Sequence, residues 1–347
     1  NARPPTSPHV LLFPVLTHQV LHLDVEVTRA DVVESRHTVH AAIVGAHDKT
    51  IAHAREQSTV TMWRSCAKFF QVMPFIASGG FDQLGWGDEH LALACASHGG
   101  EPEHVALAAR MLDSIGLEEG DLACGPHEPL STRGVKMARD AGQPWTRLHN
   151  NCSGKHAAML ARAFTAGWPT GGYERADHAV QNSCLAEVAS WTGVGRDDMP
   201  LGIDGCGVVV MALPLDRMAR AYARWAQAVA AGDEIPSRTA AAIRAHPHLL
   251  GGTDRFDTVL IEETNGRIIS KVGAEGVHCA AIPDMGIGVA IKVEDGAIRA
   301  QHIALLRALQ EIGALSGDLS HRLADWLTRP VRNTRGAVVG MVRNSEL

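Results

Sequence analysis

Strand-like segments stand at both ends of this chain and a long run of alanine-rich helical periodicity separates them, an order that restricts the possible folds more than any other feature. Near the start, Val25-Glu26-Val27 and Thr38 to Val44 read as strands, and Ala46-His47-Asp48-Lys49 reads as a turn into Ile51-Ala52-His53, the pattern of an antiparallel meander. Helical spacing of apolar residues follows over Asp88 to Ala96, Glu103 to Ile115, Thr132 to Ala141, Ser153 to Phe164, Asp177 to Trp191 and Leu215 to Ala231. Gly79-Gly80, Gly171-Gly172 and Ile235-Pro236 punctuate them. Strand-like sequence returns at Thr258-Val259-Leu260-Ile261, Arg267 to Lys271 and Ile287 to Lys292, before a helix from about Ala297 to Leu309. Such an order predicts one antiparallel sheet built from the N- and C-terminal strands, with a central helical region (about residues 64–250) packed on it: an α+β fold of the α/β sandwich kind. Residues 1–24 read as an irregular, Pro-rich extension, 25–327 as one unit, and the tail 328–347 as a last strand or an oligomer contact.

Of the 347 residues, 46% are hydrophobic, enough for a substantial core, and the formal net charge is −6 without a block of Lys or Arg. Nucleic acid and anionic membranes are therefore poor partners, and a small molecule is the expected one. No run approaches the ~18 apolar residues of a membrane span, and the opening Asn1-Ala2-Arg3-Pro4-Pro5 lacks a signal-peptide pattern, so a soluble, cytoplasmic protein is expected. The seven cysteines are dispersed and odd in number, which suits reduced thiols rather than a disulfide framework.

Three short stretches carry chemistry. Ser65 and Lys68, in Arg64-Ser65-Cys66-Ala67-Lys68, stand on one face of a helical segment, where a lysine made neutral by burial or by a nearby cation can take the proton of a serine. Taken alone, the pair also fits an ordinary polar helix start. Ser97 follows a small-residue helix in Ala96-Ser97-His98-Gly99-Gly100, where its ordinary role is a cap. Lys271 ends a strand two residues before Gly273, a plain strand-to-turn junction when read by itself. In this order the three follow the plan of penicillin-binding proteins and serine β-lactamases, although those enzymes carry Asn two residues after the second serine and this chain has Gly99.

A further set is Cys152 and Lys155, in His149-Asn150-Asn151-Cys152-Ser153-Gly154-Lys155-His156, with Cys206 in the Gly-flanked turn Gly202-Ile203-Asp204-Gly205-Cys206-Gly207. Thiolates suit Zn²⁺, but two buried structural thiols explain the spacing as well. His18 and His22 stand four apart without the Glu of a zinc protease, and the chain has no C-x-x-C, P-loop or G-x-S-x-G.

Together these segments resemble the bacterial L-asparaginase II family of the class 3, zinc-containing type. The resemblance is carried by Val33 to His37, Arg64 to Lys68, Leu91 to His98, His149 to His156, Ile203 to Cys206, Ala245-His246-Pro247, Gly252 to Thr258 and Lys271 to Val277. It implies a serine β-lactamase-like fold, hydrolysis of L-asparagine to L-aspartate and ammonia, and two Ser–Lys pairs, Ser65 with Lys68 and Ser97 with Lys271. It further implies a zinc held by Cys152, Lys155 and Cys206 with water as the remaining ligand, a substrate pocket lined by Arg64, His156 and Asp204, and a homodimer.

An amidohydrolase of this plan would use Ser65 as nucleophile at a helix N-terminus, where one backbone N–H aimed at the oxyanion lowers the barrier by roughly 3 kcal/mol. The cations Arg64, Lys68 and Lys271 would repel one another and depress at least one lysine pKa. A zinc would organise the pocket and orient substrate rather than generate the nucleophile. The rival readings are a glutaminase, a β-lactamase-type acyl-hydrolase, and a zinc-binding non-enzyme on the same scaffold.

Overall fold

The structure, a computed structural model, describes residues 18–142, 144–316 and 318–345. Its N-terminal strands are β1 (Gln19–Val20), β2 (Val25–Arg29), β3 (Val32–His37), β4 (Val39–Val44) and β5 (Thr50–Ala54). Just before the helical region lies β6 (Val60–Met62), and within it lie β7 (Leu201–Ile203) and β8 (Val209–Pro214). After it come β9 (Ile269–Val272), β10 (Val277–Ile282), β11 (Ile287–Val293), β12 (Arg329–Arg332) and β13 (Val338–Asn344).

The α+β architecture expected from the order of segments is found, but the termini build two sheets rather than one. A six-stranded sheet runs β1-β5-β4-β11-β10-β9, and a four-stranded sheet runs β12-β13-β2-β3. The central seam is the antiparallel pairing of β4 with β11, Ala42 opposite Ala290. Alternation of side chains along a strand divides the six-stranded sheet between two cores. Ala42, Val44, Cys279, Ala281 and Ala290 face the helical body, whereas Ala41, Ile43, Ala280, Ile282, Val289 and Ile291 face the helix Ile298–Glu311. Burial on both faces explains why these strands read as continuous apolar runs.

The helix Leu215–Ala231 lies directly on β11. A side chain at Gly288 would place its Cβ 2.1 Å from the Ala219 carbonyl oxygen, so only glycine permits the contact.

Three further expectations are corrected. Thr258-Val259-Leu260-Ile261 is not a strand but the interior of the helix Phe256–Glu263, because a short, wholly buried apolar run carries no period that separates the two conformations. Ile235-Pro236 is not a break: it opens the helix Glu234–Ala245, where the missing proline N–H belongs to a first turn that has no partners for it anyway. Within the expected extension 1–24, residues 1–17 lie outside the described residues, but Gln19–Val20 pairs with β5 and Leu21 and Leu23 are buried. The third sheet, β6-β8-β7, had no counterpart in the sequence reading. The tail supplies β12 and β13, and β13 pairs with β2. No helix among the described residues is long and apolar enough to cross a membrane.

Candidate active site

Ser65 sits in a 3-10 turn, Arg64–Ala67, that leads into the helix Lys68–Ala77. The turn is pinned from three sides. Trp63 N–H donates to the Met211 carbonyl at 2.9 Å, the Cys66 thiol to the Lys271 carbonyl at 2.9 Å, and the Tyr222 hydroxyl to the Cys66 carbonyl at 2.8 Å. Arg64 has a φ of 54°, a left-handed conformation that costs a side-chain-bearing residue about 1 kcal/mol or more. The Ser65 hydroxyl is half-buried and makes no hydrogen bond among the described residues.

Ser97 is held as firmly and is far more enclosed. Its N–H donates to the Leu250 carbonyl at 3.1 Å and the next N–H, of His98, to the Asn151 carbonyl at 3.1 Å. Gly154 brings the helix Ser153–Thr165 against this segment, since a Cβ there would lie 2.5 Å from the Leu93 carbonyl oxygen.

Both lysines converge on Ser97. Lys68 Nζ donates to Ser97 Oγ at 3.1 Å and Lys271 Nζ donates to it at 2.8 Å, so the two lone pairs of the hydroxyl are occupied and its O–H is left as a donor. Lys68 also donates to the Ala96 carbonyl and, at 3.2 Å, to Cys152 Sγ. Three acceptors use the three donors of an ammonium, and none is Ser65. The expected pairing is therefore found for Ser97 with Lys271, whereas no hydrogen bond joins Lys68 to Ser65.

Lys271 makes one other hydrogen bond, to the Val272 carbonyl at 2.9 Å, so its two acceptors match the two N–H donors of a neutral amine. Complete burial, reinforced by Lys68, pushes its pKa down to about 8, with Asp257 opposing. Asp257 grips β9 on both sides of Lys271. It accepts from the Ser270 hydroxyl at 2.6 Å and from the Val272 N–H at 2.8 Å, and it pairs with His278 at 2.9 Å. Burial works against its ionisation, but His278 and Lys271 hold the carboxyl well below the usual range.

Cys152, Lys155 and Cys206, the set implied by the family resemblance, lie close to one another. Lys155 Nζ donates to Cys206 Sγ at 3.1 Å, and the Cys152 thiol hydrogen-bonds the same sulfur. That bond, together with Lys155, lowers the Cys206 thiol to about 5, while Cys152 rises to about 12 through the same bond and burial. For Lys155 burial favours the neutral form, but Cys206, Cys152 and Asp204 outweigh it and hold the amine above its ordinary value. Two sulfurs and an amine at one buried point fit Zn²⁺ in donor chemistry, provided Lys155 gives up its proton.

Ser65 and Ser97 open on one cavity of about 350 Å³ with Arg64, Asp204, Cys206 and Arg255 among its lining residues. Arg64 and Asp204 form an ion pair at 2.8 Å. Burial would raise the Asp204 carboxyl, but Lys155 and Arg64 keep it below its usual value. His156, expected at the pocket, is instead wholly buried behind it: its Nδ1 contacts the Tyr173 hydroxyl at 2.5 Å and its Nε2 has no partner among the described residues. The sequence matches the L-asparaginase II family over residues 25–344.

The chain belongs to the L-asparaginase II family. Membership makes it a hydrolase of the amidohydrolase kind. Among solved structures, a "putative beta-lactamase from Bacteroides dorei DSM 17855" matches with 12% identity over 84% of this chain and 93% of that one, at a TM-score of 0.39, a likeness too slight to bear on residues or substrate. No curated protein matches.

The family motif Gly252 to Thr258 holds two residues to which the sequence reading gave no role, Arg255 and Asp257. Charged residues entering a run as apolar as Thr258 to Ile261 were the available signal, since a charge carried into a core needs a partner. A second group of possible metal donors, Glu101, His104 and His248, lies within 4.8 Å. Glu101 and His104 are already engaged, Glu101 with Arg133 and Thr253 and His104 with the Glu101 N–H and the His248 carbonyl, while the His248 ring lies 3.5 Å from the Glu101 carboxylate.

Proposed function

We propose that this protein hydrolyses L-asparagine to L-aspartate and ammonia, with Ser65 as nucleophile. The observation that carries the reading is the contrast in lone pairs: both on Ser97 are occupied by lysine N–H donors, whereas those on Ser65 are unencumbered and face the cavity. Ser65 Oγ attacks the side-chain amide carbon. Its proton passes to the amine array, in which Lys271 is the lysine that burial makes available as a base. The opening residues of the turn have N–H groups without intrahelical partners, suited to the oxyanion. Ser97, left with a free O–H, donates to the departing nitrogen, and ammonia leaves a β-aspartyl ester on Ser65. Water, deprotonated by the same array, releases aspartate.

Asp204 supports the amino-acid character of the substrate, since a part-buried carboxylate at the cavity suits an α-ammonium. Cys152, Lys155 and Cys206 would hold zinc, which supplies positive charge that fixes the adjoining wall of the pocket. The homodimer implied by the family belongs to the same proposal, and sedimentation at the mass of one chain would reject it.

The test is ammonia release from L-asparagine and L-glutamine side by side, for wild type and Ser65→Ala. Turnover of asparagine that Ser65→Ala abolishes is expected. Preference for glutamine would transfer the reading to a glutaminase, a difference of one methylene worth ~1–3 kcal/mol. Cleavage of nitrocefin in place of either amide would favour a β-lactamase-type hydrolase.

A further inference from the structure

Two guanidinium groups line the cavity, and they differ in one respect. Arg64 is neutralised by Asp204 at 2.8 Å. Arg255 has no acidic partner among the described residues; its hydrogen bond is a long one, 3.3 Å from Nη1 to the Leu130 carbonyl. The two carboxylates near it are committed elsewhere. Glu101 accepts from Arg133, from the Thr253 N–H at 2.8 Å and from the Thr253 hydroxyl at 2.9 Å. Asp257 is held by Ser270, Val272 and His278. Arg255 is thus a part-buried guanidinium at the wall of the cavity that no carboxylate pairs with among the described residues.

Such an arrangement favours an anion at the cavity, because a part-buried guanidinium gains from a charged acceptor that no neighbouring side chain supplies. Its planar fork matches a carboxylate with two parallel N–H donors. The segment that carries it is tied down by hydrogen bonds. Glu101 grips Thr253 from below, Gly252 N–H donates to the Thr258 hydroxyl at 3.2 Å, and Arg255 N–H donates to the Gly252 carbonyl at 3.2 Å. Arg255 itself opens the helix Phe256–Glu263, with Val259 N–H returning to its carbonyl at 3.0 Å. The next residue but one is Asp257, which grips the Lys271 strand.

We infer that Arg255, not Arg64, reads the α-carboxylate of the substrate, and so restricts the enzyme to amides of free α-amino acids. This rests on the amidohydrolase reading above. Arg64 then serves to orient Asp204 for the α-ammonium.

The test compares L-asparagine with its α-methyl ester, ammonia release reporting the side-chain amide alone in both. Wild type should favour free asparagine in kcat/KM by about 10²-fold, the factor expected for a charged hydrogen-bonded pair. Arg255→Met should lower kcat/KM for asparagine by about that factor, mostly through KM, and leave the ester within about threefold, so the preference collapses. Arg255→Lys should recover part of it. Equal use of both substrates by wild type, or a preference that survives Arg255→Met and is lost in Arg64→Met, overturns the inference. A calorimetric titration of both compounds in the Ser65→Ala background reads the same contact without turnover. There asparagine should bind about 10²-fold more weakly once Arg255→Met is added, and unchanged affinity overturns the inference. Absence of ammonia from either substrate would refute the amidohydrolase reading, while the titration still decides Arg255.

Discussion

Ser65 and Ser97 share one cavity but not one environment. Ser97 is buried and receives two lysine ammonium or amine donors; Ser65 is half-exposed, sits beside a strained Arg64 and receives none. The difference teaches that closeness in sequence is a poor guide to which base serves which hydroxyl. Lys68 follows Ser65 by three positions, yet its donors reach Ala96, Ser97 and Cys152, which lie on other segments. In the proposed mechanism saturation would make Ser97 a proton donor and relay, and lack of partners would leave Ser65 free to attack.

The largest test of that contrast is the pair of alanine variants. Ser65→Ala should lose about 10³-fold or more in kcat and Ser97→Ala about 10²-fold, with a β-aspartyl adduct trapped on the Ser65 peptide by mass spectrometry. An adduct on Ser97, or a Ser65→Ala enzyme that still turns over, would reverse the two roles.

Next in size is pH. The base must be neutral, and Lys271 is protonated as pH falls through about 8, so kcat/KM should fall by about tenfold per unit below that point. A pH–rate profile flat from pH 6 to 9 would remove Lys271 from the proton path.

The thiol set is tested by Cys206→Ser, which should abolish stoichiometric zinc retention after dialysis and slow turnover by about 10- to 100-fold. Zinc content equal to wild type, read by elemental mass spectrometry, would show that the ligands lie elsewhere.

The smallest effect concerns Asp257. Asp257→Asn keeps the shape but removes the charge that holds the Lys271 pKa up, so the acid limb should move below 8 while the maximal rate falls by about tenfold or less. A limb that moves upward would mean that Asp257 acts on some other group.

Much of the site was legible because its chemistry belongs to side-chain types in a recognisable order. Ser65, Lys68, Ser97 and Lys271, and Cys152, Lys155 and Cys206, could be named from spacing and family likeness; Ser65, Ser97 and Cys206 line one cavity, with Lys68 and Lys271 hydrogen-bonded to Ser97 and Lys155 to Cys206 behind them. Asp257 and Arg255 gave no such signal, because their roles consist of what they touch: two neighbours of Lys271 in one case, an absent counter-charge in the other. His156 was misplaced for the same reason, since its position on the helix Ser153–Thr165 turns it to Tyr173 rather than to the pocket.

The sequence by itself determined the α+β class, through hydrophobic period and Gly/Pro punctuation, and it determined which hydroxyls, amines and thiols were available. These are local properties, readable within a few residues. Tertiary structure decided that the termini form two sheets, that Thr258 to Ile261 is helical, and that Ser97 rather than Ser65 meets both lysines. Those contacts join residues 29 and 174 positions apart, and what selects them is the joint burial of segments that no local window contains.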